Sequence, residues 1–259
     1  MERGVKMMPT IHKGEENTMK KIIALVLALM MVLSLTACAK NIHAKSEGTM
    51  TYAEYDAAAL DTEVTIEAFV QDKQSWWDNK ATVYLQDKDG AYFIYEMACT
   101  EEEYAKLVKG QKIKVNGYKG EWAGEVEVMD PTFELLDGNW VAEATDVTAK
   151  LGTDELTKYM NQFVAFKGLT VAPSTAADGS EVAFLYNWDG SGAQGDDLYF
   201  NVSYNGNTYN FCIEKYLTGA DTEVYKAVEA LNVGDTIDCE GFLYWYEGVN
   251  PHITSVTVK

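Results

Sequence analysis

Tryptophan and tyrosine are the side chains in this sequence whose placement suggests chemistry, and that chemistry is stacking rather than bond-breaking. Trp76 and Trp77 stand together between Gln74 and Asp78, Trp122 follows alone, and Tyr244, Trp245 and Tyr246 form a run. Rigid aromatics exposed in loops stack on nucleobases or sugars. Tyr84, Tyr92 and Tyr95 fall on strand-like stretches nearby and would extend such a platform. The same residues would serve equally well to close a barrel end or to glue two modules together, and at this level both roles stand open. No catalytic set accompanies them: the chain lacks a Gly-x-Ser-x-Gly elbow, a phosphate loop and a Cys/His pair. Glu101, Glu102 and Glu103 suit a helix N-terminus through the macrodipole. Asp196 and Asp197 have no second carboxylate that can be placed opposite them. The expectation is a protein that is not an enzyme.

Metal chemistry is equally poorly supplied. Asn187 to Asp197 begins like a calcium loop, but Gln194 stands where such a loop needs glycine and Phe200 where it needs the closing Glu. A flexible hairpin loop is the better expectation. Cys99, Cys212 and Cys239 are an odd set once Cys38 is set apart, which excludes a complete disulfide framework. They read as buried thiols, with a Cys212–Cys239 bridge as the alternative. CxxC spacing is absent, and His43 and His252 are the only histidines from Cys38 onward, so neither zinc nor any other metal or cofactor is expected.

Cys38 offers a different chemistry. Lys20 and Lys21 precede an apolar run from Ile22 to Leu33, and Leu35-Thr36-Ala37-Cys38 closes it. A basic n-region, a short h-region and a small-residue cleavage site make a secretory signal. The Leu-Thr-Ala-Cys match resembles the bacterial lipobox, in which the cysteine is lipidated after cleavage. Ile22 to Leu35 would cover roughly 21 Å as a helix, short of a bilayer core of about 30 Å. A thioether-linked diacylglycerol on Cys38 would supply two acyl chains, enough for stable anchoring. Residues 1–37 are therefore set aside as a signal peptide, with residues 1–18 a mis-called extension before Met19, and 38–49 as a lipidated linker. The expected location is the outer face of the cell membrane.

From Cys38 on, 37 acidic side chains face 16 basic ones, a net charge near −21, and the chain's one arginine, Arg3, lies before it. Phosphate recognition depends on cationic side chains, arginine above all. This composition opposes binding to nucleic acid and is more simply a solubility feature.

The elements that must position the aromatics come in duplicate. Gly110, Gly117 and Gly124 recur as Gly234, Gly241 and Gly248 at a constant offset of 124. The same offset pairs Leu107 with Leu231, Ile113 with Ile237, Val115 with Cys239 and Tyr118 with Phe242. In the first copy, residues 64–70 alternate as a strand, and Thr82 to Gln86 and Ala91 to Met97 flank a turn at Asp87-Lys88-Asp89-Gly90. Thr100 and Glu103 form a capping box for a short helix ended by Gly110. Ile113 and Val115 mark a fourth strand, and Glu125 to Met129 a fifth, interrupted by Pro131. The second copy runs Phe163–Val171, Glu181–Tyr186, Asp197–Tyr204, Thr208–Cys212, a helix near Val224–Leu231, Thr236–Leu243 and Ile253–Val258. Tyr52 to Ala58 and Asp154 to Met160 read as short leading helices.

Three strands, a helix and two strands make the OB-fold, whose strand 1–2 and 4–5 loops rim a ligand groove. The prediction is a mainly β protein with short helices, built from two tandem five-stranded OB-fold-like barrels over residues 50–137 and 145–259. The lipobox, the Gly-Ile-Val-Gly pattern and the Trp-bearing loops together resemble tandem OB-fold lipoproteins of Gram-positive bacteria. That resemblance implies a tethered, non-enzymatic binding or adaptor module for an extracellular ligand or protein. The alternatives are an OB-fold nucleic-acid-binding protein, which would need a positive groove beside Trp76, Trp77 and Trp122, and a cell-wall-active enzyme.

Overall fold

Alternation of Val64, Ile66, Ala68 and Val70 carries the first barrel strand, and in the computed structural model, which describes residues 41–259, all four fill the barrel interior. This strand, β1 (Glu63–Lys73), is buried on its outer face as well. There Glu67 pairs with Lys112 at 2.9 Å and is covered by Ser46 and Thr49, while Phe69 packs edge-on against Trp140. A short helix α1 (Tyr52–Ala57) precedes β1, opened by a capping box between Thr51 and Glu54. After β1 come β2 (Lys80–Gln86), β3 (Ala91–Ala98), α2 (Glu101–Lys106), β4 (Gln111–Trp122) and β5 (Glu125–Asn139). The predicted Thr100–Glu103 capping box forms, with both reciprocal hydrogen bonds made.

The strands close in the order β1-β2-β3-β5-β4, with β4 returning to β1 and β3 parallel to β5. That is the OB arrangement. Pro131 does not end β5, which continues to Asn139. The register slips between Asn116 and Tyr118, and Asp130 takes a φ of 48°, so Pro131 sits in a bulge where no ladder donor is required.

The second barrel repeats the plan. A short strand β6 (Thr145–Asp146) and two 3₁₀ turns, Thr148–Lys150 and Asp154–Tyr159, lead into β7 (Phe163–Ala172). Glu181–Tyr186 is not one strand. It splits into β9 (Glu181–Val182), which pairs with β8 (Ser174–Thr175), and β10 (Leu185–Tyr186), because Ala183 turns inward to the core between them. The barrel proper is β7, β11 (Leu198–Tyr204), β12 (Asn207–Ile213), β13 (Thr236–Phe242) and β14 (His252–Val258), with α3 (Glu223–Glu229) before β13. β11 pairs with both β7 and β12, β12 runs parallel to β14, and β13 returns to β7, closing the ring.

The glycine repeat marks equivalent positions. Gly110 and Gly234 both have φ near 90°, and each donates its N–H to the first strand of its barrel, to Val70 and Val171. Gly117 faces Val64 across the ladder and Gly241 faces Val164. At both, a Cβ would collide with the neighbouring last strand, at the Met129 and His252 carbonyls. The Tyr118–Phe242 pair departs from equivalence: Tyr118 is exposed, whereas Phe242 is buried between the barrels.

Cys99, Cys212 and Cys239 are free and buried. Cys38 and residues 1–37 lie outside the described residues. Among the described residues, no helix is long and apolar enough to cross a membrane.

Candidate functional site

The predicted aromatics divide between structural and exposed roles, and the adjacent pair shows the rule. Trp76 turns in, packs on the first barrel's core and donates its indole N–H to the Cys99 carbonyl at 3.0 Å. Trp77 turns out and is 79% exposed. Both sit in the β1–β2 loop, where Asp78 and Asn79 take left-handed backbone to complete the turn.

Two predicted platform residues are not available to a ligand. Tyr92 is fully buried inside the first barrel against Tyr52 and Tyr55, because β3 directs alternate side chains inward. Tyr84 points outward from β2, but the second barrel covers it. It stacks on Phe242 at 4.4 Å and shares a 2.6 Å hydrogen bond with His252 Nδ1. Phe93 joins this cluster and reaches Tyr244 at 5.2 Å, and Tyr244 stacks on His252 at 4.1 Å. In an OB-fold, strands 2 and 3 form the ligand face. Here much of that face on the first barrel is spent docking the second.

Polar contacts seal the same seam. The Ser75 N–H donates to the Tyr216 carbonyl at 2.7 Å, the Phe163 N–H to Gln86 Oε1 at 2.8 Å, and the Glu247 N–H to the Ala123 carbonyl at 2.7 Å. Glu125 is buried at the centre and accepts the Trp245 N–H at 2.9 Å. Burial raises its carboxyl to about 8, against the Trp245 hydrogen bond that opposes the shift. Trp245 itself packs on the second barrel's core and beside Gly124.

The remaining aromatics converge at the edge of the seam, where the two β4–β5-type hairpins meet. A groove of about 730 Å³ runs there between the first barrel's β3 and the outer face of β11 and β12. Trp122, Trp188, Tyr199, Tyr244 and Tyr246 supply its aromatic walls. Trp122 is 63% exposed and Trp188 76%. β4 extends as far as Trp122, which carries the side chain past the barrel to the hairpin tip. The groove continues along the first barrel through Tyr95, Trp122 and Tyr244 into a second hollow of about 800 Å³. A bulge in β3 shapes this stretch. Glu96 takes a φ of 46° and donates its N–H to Thr82 Oγ1, so Tyr95 and Glu96 are both exposed in succession. Bulges of this kind re-aim side chains beside binding sites.

The groove is acidic. Asp197, Glu214 and Glu247 line the first hollow, and Glu96, Glu127 and Asp130 the second. Burial raises the Glu214 carboxyl to about 7, and the Tyr216 and Leu217 N–H groups hold it at 3.1 and 2.8 Å. His252, on the floor, is driven down to about 3 by burial and is neutral. Among the described residues, no group of three or more His, Cys, Asp or Glu side chains is arranged to hold a metal ion.

Trp188, Tyr199, Glu214 and His252 were not singled out as site residues in the sequence. Tyr199 was detectable as an outward position in the alternation Leu198, Tyr199, Phe200. The loop bearing Trp188 is tied at its far end, where Gly195 donates to the Tyr225 hydroxyl and Asp196 pairs with Lys215 at 3.2 Å. Nothing local in the sequence signals that this loop reaches the seam.

No family model matches the chain, and no curated protein matches it. Among solved structures it is similar to a murine DNA-binding protein bound to double-stranded DNA, at 10% identity and a TM-score of 0.36, over 75% of this chain and 97% of that one. A p202 HIN1 domain in complex with a 12-mer duplex aligns at 9% identity and a TM-score of 0.34, over 85% and 100%. An asparaginyl-tRNA synthetase of Entamoeba histolytica aligns at 9% identity and 0.29, over 57% and 52%. Scores this low carry no inference about ligands.

Proposed function

We propose that this chain is a non-enzymatic binding module that takes its ligand in the aromatic groove between its two OB-type barrels. In this reading it works at the outer face of the membrane, held there by lipid on Cys38. The observation that carries the proposal is the convergence of Trp122, Trp188 and Tyr246, all exposed, on one concave surface. Large aromatics left in water beside a groove have no packing role to explain them, and a stacked ligand would bury them. The half-buried Trp76 and Trp245, by contrast, pack against the barrel cores.

Charge weighs against the nucleic-acid alternative. Such binding needs a positive groove. Beside Trp122 stand Glu127, Asp130 and Glu247, and Lys80, the lysine lining this stretch, is paired with Glu96 at 2.7 Å.

The test is a binding screen against glycans, peptides, amines and oligonucleotides, repeated with the Trp122→Ala/Tyr246→Ala double variant. The expected outcome is a ligand whose affinity falls at least about tenfold, roughly 1.4 kcal/mol, with the melting temperature unchanged. A ligand that binds both proteins equally overturns the groove assignment.

A further inference from the structure

Three carboxylates line the inter-barrel hollow, and no lysine is found among its lining residues within the described part of the chain. None of the three forms an ion pair with a described residue, the nearby Lys215 ammonium being paired with Asp196. Glu214 is held by two backbone N–H groups rather than by a cation. Asp197 accepts the Lys215 N–H at 2.9 Å, but the Lys215 ammonium turns instead to Asp196 at 3.2 Å. His252 beneath them is neutral and bonded to Tyr84, so it adds no positive charge. The rings of Trp122, Trp188, Tyr199 and Tyr246 line the same hollow. Tryptophan and tyrosine faces attract cations, and the attraction grows as water is excluded.

We propose that this groove selects an organic cation, a ligand presenting an ammonium group to the aromatic rings with Asp197, Glu214 and Glu247 behind it. The inference rests on the groove being the ligand site. A neutral sugar would satisfy the rings by stacking but would cover the carboxylates without compensating them, which is unfavourable. An anionic ligand would meet repulsion. An ammonium group answers both features of the surface, and the strongly negative charge of the chain from Cys38 on would draw it in.

The test compares choline with 3,3-dimethylbutan-1-ol, its neutral carbon isostere, by calorimetric titration of the full chain, with chitotetraose as a neutral sugar. The expected result is that choline binds at least about tenfold more tightly than the isostere, and that added salt weakens choline but not the isostere. Above pH 7, where the Glu214 carboxyl is ionised, Glu214→Gln should reduce that preference. Because Glu214 also accepts two backbone hydrogen bonds, the exposed Glu247→Gln provides a second variant, expected to reduce the preference without altering stability. Trp122→Ala should weaken choline and isostere together. Equal binding of choline and isostere overturns the cation inference. Binding of chitotetraose alone, lost in Trp122→Ala, overturns the cation inference while leaving the groove as the site. Binding of choline that is unchanged in all three variants overturns both.

Discussion

Glu125→Gln should make the protein more stable above neutral pH and flatten its acid–base response. Glu125 is buried at the junction of the barrels, accepting the Trp245 N–H, and one of its carboxyl oxygens has no hydrogen-bond partner. Burial raises its pKa from an ordinary 4.5 to about 8. Between those values the folded protein keeps a proton that the unfolded chain has released. Folding stability attributable to Glu125 is therefore fully present below pH 4.5 and is lost as pH rises toward 8. The slope for one proton is about 1.4 kcal/mol per pH unit, so by pH 7 the loss is roughly 3 kcal/mol. Glutamine keeps the acceptor for Trp245 and cannot ionise. Glu214, raised to about 7, and His252, lowered to about 3, also titrate in this range, with opposite signs. Both are present in either protein, so the difference between variant and wild type isolates Glu125. Urea unfolding at half-unit intervals from pH 4 to 9 should give curves that meet near pH 4.5 and diverge upward in the variant's favour. Parallel curves would show that the carboxyl is not buried and protonated at the seam, and the junction would need redrawing.

Other substitutions separate structural from exposed aromatics and test the repeat. Trp122→Ala should cost less than about 1 kcal/mol, because the ring lies at a hairpin tip, whereas Trp76→Ala should cost about 2 kcal/mol or more through lost packing and the Cys99 hydrogen bond; chemical denaturation of the two variants ranks them. Gly117→Val and Gly241→Val should each destabilise by about 1–3 kcal/mol, since a side chain at either position meets the last strand of its barrel. Thermal melts showing one variant harmed and the other neutral would break the equivalence. Cys38→Ser should leave an uncleaved, unlipidated precursor that no longer partitions like wild type into detergent phase.

The barrels were legible because their signals are local. Alternation in β1, the Asp87–Gly90 turn, the Thr100–Glu103 box and the repeated glycines each act within a few residues. Local reading stopped at Pro131, where a bulge allowed the strand to continue, and at residues 181–186, where Ala183 turns in and splits a strand. The site was legible only in part, for a different reason. Which aromatics face outward depends on contacts such as Tyr84 with His252, which are 168 residues apart. Nothing near Tyr84 says that another barrel will cover it, or near Trp122 that its strand extends past the core. Tyr118 and Phe242, matched in the repeat, differ in burial because only Phe242 meets the other barrel. Trp188 and Glu214 belong to the groove through the same apposition.

The central claim is that ligand enters the groove between the barrels, and the six tryptophans report on it directly. Their indole N–H signals can be resolved by nuclear magnetic resonance in the isotopically labelled chain and assigned by single substitution. On saturation with the ligand identified by the screen, the Trp122 and Trp188 signals should move most. Trp76, tied to the Cys99 carbonyl, and Trp140, packed on Phe69, should stay in place. Shifts confined to Trp77 and Trp140, or saturation that moves neither Trp122 nor Trp188, would contradict the account.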